Sequence, residues 1–355
     1  MCKKFLVTGA TGLLGRYIVG LLVEKGEDVR VLVDPEADKS VLDGMPVEIC
    51  EGEIFQKESM RKFFDFGDID PRSCVLIHAE ERISISKQKD LSMRRTNVSG
   101  TINITDLCLK HKIGRLVYIS SAYALASSSE GYVSGTKFHF DRNKVEGDYA
   151  QTKAEASAYI MEKVSLNKLN AVLVLPTFMI GPGIDQKSDV GRALNGYLHN
   201  SVVPVRGGHV FVDVRDVAAG VIAAAERGES GAGYILTGEY RSTIEFFDDV
   251  CAAAGIENNT KLLPNWVLNK SVAKFVDTYY KLAHKDNPKD VYSLFTTSPD
   301  TQYSIEDTTG IFNPNPKAIK DTILETVSWV EGKRTIETEP VAEAEAEVEV
   351  EENRA

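Results

Sequence analysis

The sequence lacks the features that mark secreted, membrane-spanning or nucleic-acid-binding proteins. Its five cysteines are an odd number, widely scattered and without a CxxC pair, so we expect reduced thiols and a cytoplasmic protein. No apolar run approaches the roughly 20 residues of a membrane span, and no room for a signal peptide precedes the first predicted strand. Basic residues form no patch, which argues against nucleic acid. The six histidines show no ligand spacing, so we predict no metal.

Negative charge is abundant, but its excess is local. The net charge is -11, and residues 337–355 hold eight glutamates against one arginine, which accounts for seven of those charges. Such a segment repels itself and has little to bury. We therefore predict a disordered acidic tail over residues 335–355.

A three-glycine segment, Thr8-Gly9-Ala10-Thr11-Gly12-Leu13-Leu14-Gly15, follows a strand-like run and opens a helix-like one. Glycine there allows a sharp turn, a close approach of the backbone to a pyrophosphate, and tight packing of helix on strand. The helix N-terminus then receives the phosphates. In this context the segment predicts a dinucleotide-binding loop. Its predicted contacts are Gly9, Thr11, Gly12, Leu13, Leu14 and Gly15.

Short apolar runs rich in Val and Ile alternate with helical stretches. The predicted strands are Lys4–Val7, Asp28–Val33, Val47–Cys50, Cys74–His78, Arg115–Ser120 and Asn170–Leu175. The predicted helices are Gly15–Glu24, Lys57–Phe64, Met93–His111, Asp148–Leu166, Val214–Arg227, Thr243–Ala254, Trp266–His284 and Pro316–Val330. Continuous apolar strands suit a parallel sheet buried on both faces. We predict an α/β fold with a doubly wound (Rossmann) sheet.

After Pro176 the pattern loosens and glycines become frequent. We predict a dinucleotide-binding domain over residues 1–180 and about 208–229. A smaller, interwoven substrate lobe would take residues 181–207 and 230–334. Ligands in such folds bind beyond the carboxyl ends of the strands, so this lobe would cap the substrate.

Asp34 ends the second strand, about twenty residues after the last glycine. A carboxylate there accepts hydrogen bonds from ribose hydroxyls and repels a 2′-phosphate, which favours NAD, with NADP as the alternative. The other interpretation is a turn residue before Pro35.

Tyr149 and Lys153 have the i, i+4 spacing that puts a phenol and an ammonium on one helix face. The cation lowers the pKa of the tyrosine, as a general acid/base requires. Tyr159 and Lys163 share the spacing, but too little helix follows them, and we expect packing roles. Ser120 and Ser121 end the fifth strand, where a hydroxyl can bind a substrate oxygen or simply cap the strand.

These residues resemble a known family, the extended short-chain dehydrogenase/reductases of the NAD-dependent epimerase/dehydratase superfamily. The likeness covers nearly all of the chain except the tail. Its further motifs are Leu76-Ile77-His78-Ala79, Thr96-Asn97-Val98, Val117-Tyr118-Ile119-Ser120-Ser121, Leu175-Pro176-Thr177 and Val212-Asp213-Val214-Arg215-Asp216.

The resemblance implies a catalytic set of Ser121, Tyr149 and Lys153. Tyr149 would exchange the substrate proton, Ser121 would hold the substrate oxygen, and Lys153 would lower the tyrosine pKa and bind the nicotinamide ribose. It also implies a homodimer formed through the helices near Met93–His111 and Asp148–Leu166. Tyr149 and Lys153 would also contact the cofactor, and further contacts would come from Glu53, Ile54, His78, Ala79, Asn97, Pro176 and Thr177.

Three departures from the family pattern bear on function. Glu80 and Glu81 replace two alanines beside the cofactor path, where they could bind ribose hydroxyls or weaken pyrophosphate binding. Glu53 replaces an aspartate. Leu175 stands where sugar-nucleotide epimerases usually have arginine, and the segment is more similar to dihydroflavonol reductases and 3β-hydroxysteroid dehydrogenases.

We therefore expect an NAD(P)-dependent enzyme that interconverts a carbonyl and a secondary alcohol on a fairly apolar small molecule. One alternative is a nucleotide-sugar epimerase or dehydratase, whose diphosphate substrate could use Arg192 and Arg215. The other is a non-catalytic dinucleotide sensor, which only Glu80 and Glu81 suggest.

Overall fold

A computed structural model describes residues 4–83, 91–126, 132–133, 135–166, 168–198, 207–257, 302–303, 311, 313 and 316–333. The predicted acidic tail and the predicted helix Trp266–His284 lie outside these residues. So does Cys2; the other four cysteines are buried and free.

Within the described residues, twelve strands form three sheets. In chain order they are β1 Lys4–Thr8, β2 Asp28–Val33, β3 Glu48–Glu51, β4 Val75–His78, β5 Arg115–Ile119, β6 Tyr132–Val133, β7 Ala171–Pro176, β8 Phe178–Ile180, β9 Gly208–Asp213, β10 Gly233–Leu236, β11 Glu239–Ser242 and β12 Gln302–Tyr303. The main sheet has seven parallel strands in the order β10-β7-β5-β4-β1-β2-β3. All six predicted strands belong to it, and β10 is a seventh that the short run between glycines did not reveal.

Eight helices lie within the described residues and flank these sheets. They are α1 Leu13–Glu24, α2 Leu91–Arg94, α3 Thr101–His111, α4 Asp148–Ser165, α5 Asp189–Leu198, α6 Val214–Arg227, α7 Thr243–Ala254 and α8 Ile319–Val330. Side chains alternate along each strand: Phe5 and Val7 join the core under α1 and α6, whereas Leu6 joins the core under α3 and α4. The doubly wound parallel sheet is therefore confirmed.

Two helical segments differ from the predicted pattern. The predicted helix Lys57–Phe64 is wrong, because the chain there runs in successive turns. The Ser59 hydroxyl hydrogen-bonds the carbonyls of Glu53 and Gln56 at 3.0 and 2.8 Å, which draws the backbone into a tight loop. Between α2 and α3 the helix widens into a π-helical segment, Arg95–Gly100, which contains the buried Asn97.

A smaller sheet, β11-β9-β8, packs with α5, α7 and α8 around a third core that contains Phe211 and Phe246. The division of the chain into domains stays a prediction. The two sheets do not follow the predicted boundaries. Strand β9 falls within the predicted dinucleotide-binding domain but lies in the small sheet, and β10 falls within the predicted substrate lobe but lies in the large sheet. None of the described helices combines the length and apolar character needed to cross a bilayer.

Neighbouring strands β1 and β4 mark the point where the strand order reverses. The chain leaves β1 toward α1 on one face and leaves β4 toward α3 on the other. In open α/β sheets ligands bind in the crevice at this point, beyond the carboxyl ends of the strands. The loops after β1 and β4 therefore face the same crevice.

Candidate active site

The loop after β1 is built by close backbone contacts. Gly9 has φ of +73°, and a Cβ added to it would lie 2.6 Å from the carbonyl group of Ala79 and the amide nitrogen of Glu80. A Cβ on Gly15 would lie 1.9 Å from the Gly9 carbonyl oxygen. Only glycine fits these two positions. The cradle suits a pyrophosphate approaching the N-terminus of α1.

The other predicted members of this loop lie around that cradle. Gly12 is exposed, precedes α1 and donates its amide to the Gly9 carbonyl at 3.0 Å. Thr11 and Leu13 are half-buried, whereas Leu14 packs in the core.

A narrow cleft beside this loop carries three carboxylates, from Asp34, Glu53 and Glu80. Its remaining lining residues are Leu32, Gly52, Ile54, Phe55 and Thr96. Asp34 is exposed and accepts the backbone amide of Glu36 at 2.9 Å, so the residue also forms the turn of the second interpretation. Apolar walls and carboxylates together are the groups that recognise a base and free ribose hydroxyls.

Glu80 is the most perturbed of these carboxyl groups. Its pKa rises to about 7 because of burial first, and then because of the negative charges of Asp34 and Glu81. The Gly9 amide hydrogen-bonds Glu80 and partly opposes the rise. The two loops of the crevice are thus joined through this residue.

His78 lies in the core rather than in the crevice. Its ring is fully buried between the hydroxyls of Thr8, at 2.7 Å, and Thr101, at 3.0 Å. Burial and the nearby Lys153 cation lower its pKa to about 3, so the ring is neutral. A cofactor contact at this position would have to use the backbone, as would one at Ala79.

Asn97 fastens the segment that follows Glu81. Its side-chain oxygen accepts the Arg82 amide at 2.8 Å, and its side-chain nitrogen donates to the Arg82 carbonyl at 2.9 Å. The same nitrogen donates to the Thr152 hydroxyl on α4 at 3.1 Å. Asn97 therefore ties the loop after β4 to the helix that carries Tyr149 and Lys153.

Ser121, Tyr149 and Lys153 come together beyond the carboxyl end of β5. Lys153 is 1% exposed and donates to the Ile119 carbonyl at 2.7 Å. Its ammonium lies 5.2 Å from the centroid of the Tyr118 ring and 5.9 Å from that of Tyr149. Ser121 is buried, and its hydroxyl lies close enough to Tyr149 to lower the pKa of the phenol. The three predicted catalytic side chains are neighbours.

A fourth side chain, Glu81, joins them. One carboxylate oxygen of Glu81 accepts the Tyr149 hydroxyl at 2.9 Å and lies 2.7 Å from the Lys153 ammonium. The sequence pattern drew attention to Glu81 as a replaced alanine, but we expected contacts with the cofactor rather than with this pair. The actual contact depends on tertiary structure.

Glu81 changes the electrostatics of the pair. Burial and the negative charge of Glu81 raise the pKa of Tyr149 well above its ordinary value, while the hydrogen bond from Ser121 lowers it. Burial alone would lower the pKa of Lys153, but the attraction of Glu81 outweighs burial, and that pKa is raised. The ammonium is therefore firmly charged, and the phenol is firmly protonated.

The second pair with this spacing lies elsewhere. Tyr159 donates to Asp106 on α3 at 2.7 Å, and the Lys163 ammonium lies above the Tyr159 ring. Tyr159 thus joins α4 to α3 and Lys163 packs on Tyr159 within α4, which are the packing roles expected for them.

A chain of aromatic contacts begins two residues after Ser121. Tyr123 hydrogen-bonds His209 at 2.9 Å, and Phe178 packs against His209 and Phe211 with ring centroids 5.2 and 5.1 Å apart. Pro176 ends β7, and the hydroxyl of the next residue, Thr177, is buried without a hydrogen-bond partner among the described residues. Within the described ranges no three His, Cys, Asp or Glu side chains gather as metal ligands.

The motif around Asp213 fastens the small lobe. Arg215 pairs with Asp213 and with Glu325 of α8, both at 2.6 Å. The Asp213 carboxylate also accepts the Thr322 hydroxyl at 2.6 Å. Arg215 is thus committed to joining α6 to α8.

Known proteins match both the sequence and the fold. The model of the NAD dependent epimerase/dehydratase family matches residues 5–236. Sterol demethylase protein B of Methylococcus capsulatus is 29% identical over 238 residues, 66% of this chain and 70% of that protein. A Synechocystis protein named "Putative dihydroflavonol 4-reductase" is 28% identical over 275 residues, 75% of this chain and 77% of that protein.

Among solved structures, the UDP-glucose 4-epimerase of Thermus thermophilus in complex with NAD aligns with a TM-score of 0.70. The alignment covers 93% of this chain and all of that one, at 19% identity. A likeness at that identity shows the fold. The sequence matches confirm the predicted family resemblance and, at the level of the family, the predicted cofactor NAD.

Proposed function

Since the chain belongs to the NAD dependent epimerase/dehydratase family, we propose that it is an oxidoreductase of a fairly apolar small molecule. It interconverts a ketone or aldehyde and a secondary alcohol. The observation that carries this proposal is the cluster of Ser121, Tyr149 and Lys153 beside the glycine cradle. A dinucleotide and a reacting oxygen can meet between the two.

NAD, when bound, accepts or supplies the hydride. The residues of the chain handle the proton: Tyr149 donates it to the carbonyl oxygen during reduction and removes it from the alcohol during oxidation. The Ser121 hydroxyl holds the same oxygen. The Lys153 ammonium, fixed by the Ile119 carbonyl, stabilises the phenolate that forms when Tyr149 gives up its proton.

The acidic cleft supports NAD rather than NADP as the cofactor. Asp34, Glu53 and Glu80 line it together, and a 2′-phosphate there would meet three carboxyl groups. The predicted contacts of Asp34 and Glu53 with the adenosine ribose belong to this proposal, as do those of Ile54, Asn97, Pro176 and Thr177 along the cofactor path.

The aromatic groups next to Ser121 support an apolar substrate. Tyr123 and Phe178 are half-buried, His209 is buried in contact with both, and Leu175 stands near the end of β7. A nucleotide-sugar epimerase needs cations for a diphosphate. Arg215, one of the two candidates for that role, is held by Asp213 and Glu325, so the epimerase is the weaker alternative. The non-catalytic sensor gives no reason for the assembled Ser121, Tyr149 and Lys153.

We also propose that the protein acts in the cytoplasm. We further propose that it forms a homodimer through α3 and α4. Light scattering coupled to size-exclusion chromatography tests the dimer. A monomer at micromolar concentration would contradict the proposed homodimer and leave the proposed oxidoreductase reaction unaffected.

The test of the reaction is consumption of NADH during a screen of apolar ketones, aldehydes and sterol ketones. On the best substrate, Tyr149→Phe should lower turnover by a factor of at least about 100 in a protein that still binds NADH. Tyr159→Phe, which removes the hydroxyl of the other pair, is the matched control and should keep full turnover. Full activity of Tyr149→Phe would overturn the acid/base assignment.

A further inference from the structure

The Glu81 side chain binds the Tyr149 hydroxyl and the Lys153 ammonium, two groups that the proposed reaction needs. Its carboxylate is 2.9 Å from the Tyr149 hydroxyl and 2.7 Å from the Lys153 ammonium. The side chain of Glu81 is 18% exposed and that of Lys153 is 2% exposed, so the ion pair lies inside the crevice rather than on the surface. Neither contact belongs to the reaction as derived above.

The backbone on both sides holds Glu81 at this place. Before it, the Ala79 amide donates to the Thr8 carbonyl at 3.2 Å, and the backbone of Ala79 lies against Gly9. After it, both backbone groups of Arg82 are bound by the buried Asn97 side chain. The contact thus has defined anchors, and release of Glu81 can proceed by rotation of its side chain.

While Glu81 binds Tyr149 and Lys153, a substrate oxygen and a ribose hydroxyl cannot take the same hydrogen bonds. A tyrosine hydroxyl has one proton to donate, so Tyr149 cannot donate to a substrate oxygen while it donates to Glu81. The Lys153 ammonium directs one of its donors to Ile119 and another to Glu81. A ribose that takes its hydrogen bonds from Tyr149 and Lys153 must replace the carboxylate, which is a charged and partly buried partner.

We propose that Glu81 is an internal competitor of the nicotinamide ribose, so that productive binding of the dinucleotide requires Glu81 to leave Tyr149 and Lys153. The proposal rests on the function proposed above. Its consequence is an apparent affinity lower than the intrinsic one by the fraction of molecules in which Glu81 has left. Release of Glu81 also removes the anion that keeps Tyr149 protonated, which couples cofactor binding to activation of the acid/base.

The test is calorimetric titration of the full chain with two ligands, NAD and ADP. ADP has the adenosine and the phosphates but lacks the nicotinamide ribose. In Glu81→Gln, which keeps the shape of the side chain, NAD should bind about ten-fold more tightly or better, whereas the affinity for ADP should stay within about two-fold. Glu81→Asp keeps the charge but shortens the reach, and it should tighten NAD in the same way.

The neighbouring Glu80→Gln is the matched control. It removes an adjacent carboxyl group that touches neither Tyr149 nor Lys153, and it should change the affinities for NAD and ADP by the same factor. Thermal melting shows that each variant is folded. A spectrophotometric titration of tyrosine supplies a second readout, because Glu81→Gln should lower the pH at which one buried tyrosine ionises.

The outcomes separate this proposal from the proposed function. NAD binding that Glu81→Gln leaves unchanged would overturn the competition and leave the oxidoreductase intact. Tightening in Glu81→Gln but not in Glu81→Asp would overturn it in favour of a general charge effect. Absence of NAD binding in the wild type and in every variant would overturn both proposals. Binding only in the variants would support the competition most strongly.

Discussion

Two neighbouring loops of the crevice have opposite designs. The loop after β1, residues 9–12, is shaped by glycines and offers backbone amides to an anion. The loop after β4, residues 79–83, brings in two carboxylates, one against the first loop and one on Tyr149 and Lys153. We infer that the first loop binds the dinucleotide, and that binding requires the second loop to release Glu81 from Tyr149 and Lys153. A backbone cradle shaped by glycines and a cluster of buried carboxylates can therefore share one site.

The largest effect should come from breaking the first loop. In Gly15→Ala the new Cβ would lie 1.9 Å from the Gly9 carbonyl oxygen, where backbone on both sides cannot yield. We expect the free energy of unfolding to fall by about 3 kcal/mol and NADH binding to be lost. Gly20→Ala on the same helix, whose Cβ meets nothing within 4 Å, is the control and should be neutral or slightly stabilising. Equal stability of the two variants in urea would refute the steric account.

The Glu80 carboxyl group of the second loop should make the free energy of unfolding depend on pH. The pKa of Glu80 is raised to about 7 in the folded chain, so its contribution is favourable at low pH and is lost as pH rises from about 4.5 to 7. Glu80→Gln should therefore raise the free energy of unfolding by about 2 kcal/mol at pH 8 and flatten this dependence. The exposed Glu24→Gln should do neither. Identical pH profiles for wild type and Glu80→Gln would contradict the burial of this carboxyl group.

A smaller loss should follow removal of the anchor of the second loop. Asn97→Ala would leave the amide and carbonyl of Arg82 without their partner, at a cost of about 1–2 kcal/mol in urea unfolding. Asn103→Ala is a milder control, because the Asn103 side chain makes a single hydrogen bond, to the Ile54 carbonyl. If both variants lose the same stability, Asn97 does not anchor the loop.

The smallest effect should come from Asp34. Asp34→Ser should tighten NADPH relative to NADH by about ten-fold, or about 1.4 kcal/mol, as measured by fluorescence titration. The shift stays limited because Glu53 and Glu80 still line the cleft. Adding Glu80→Gln should enlarge it, which would assign part of the cofactor preference to the second loop. If the double variant has the same ratio of NADPH to NADH affinity as Asp34→Ser, the cofactor preference depends on Asp34 and not on Glu80.

The parts of the fold that depend on local chemistry could be predicted from the sequence. Glycine sterics identify the first loop, and continuous apolar runs identify six of the seven strands of the main sheet. The i, i+4 spacing brings Tyr149 and Lys153 onto one helix, and the family resemblance adds Ser121 beside them.

What escaped prediction depends on partners distant in the chain. The Glu81 contact joins residues 68 and 72 positions apart, so no local pattern announces it. The failure at Lys57–Phe64 has a related origin, since Ser59 diverts the backbone from an otherwise helical pattern. His78 carries a family motif but lies in the core between two threonine hydroxyls.

The most direct test of the account is the behaviour of NAD itself in the purified wild-type protein. Bound nucleotide is first quantified, and labelled NADH and NADPH are then titrated and tested for exchange. We predict exchangeable binding with NADH preferred over NADPH, as an oxidoreductase with an acidic adenosine cleft requires. NAD that is retained and does not exchange would contradict it and favour an epimerase, and a preference for NADPH would contradict the roles of Asp34 and Glu80.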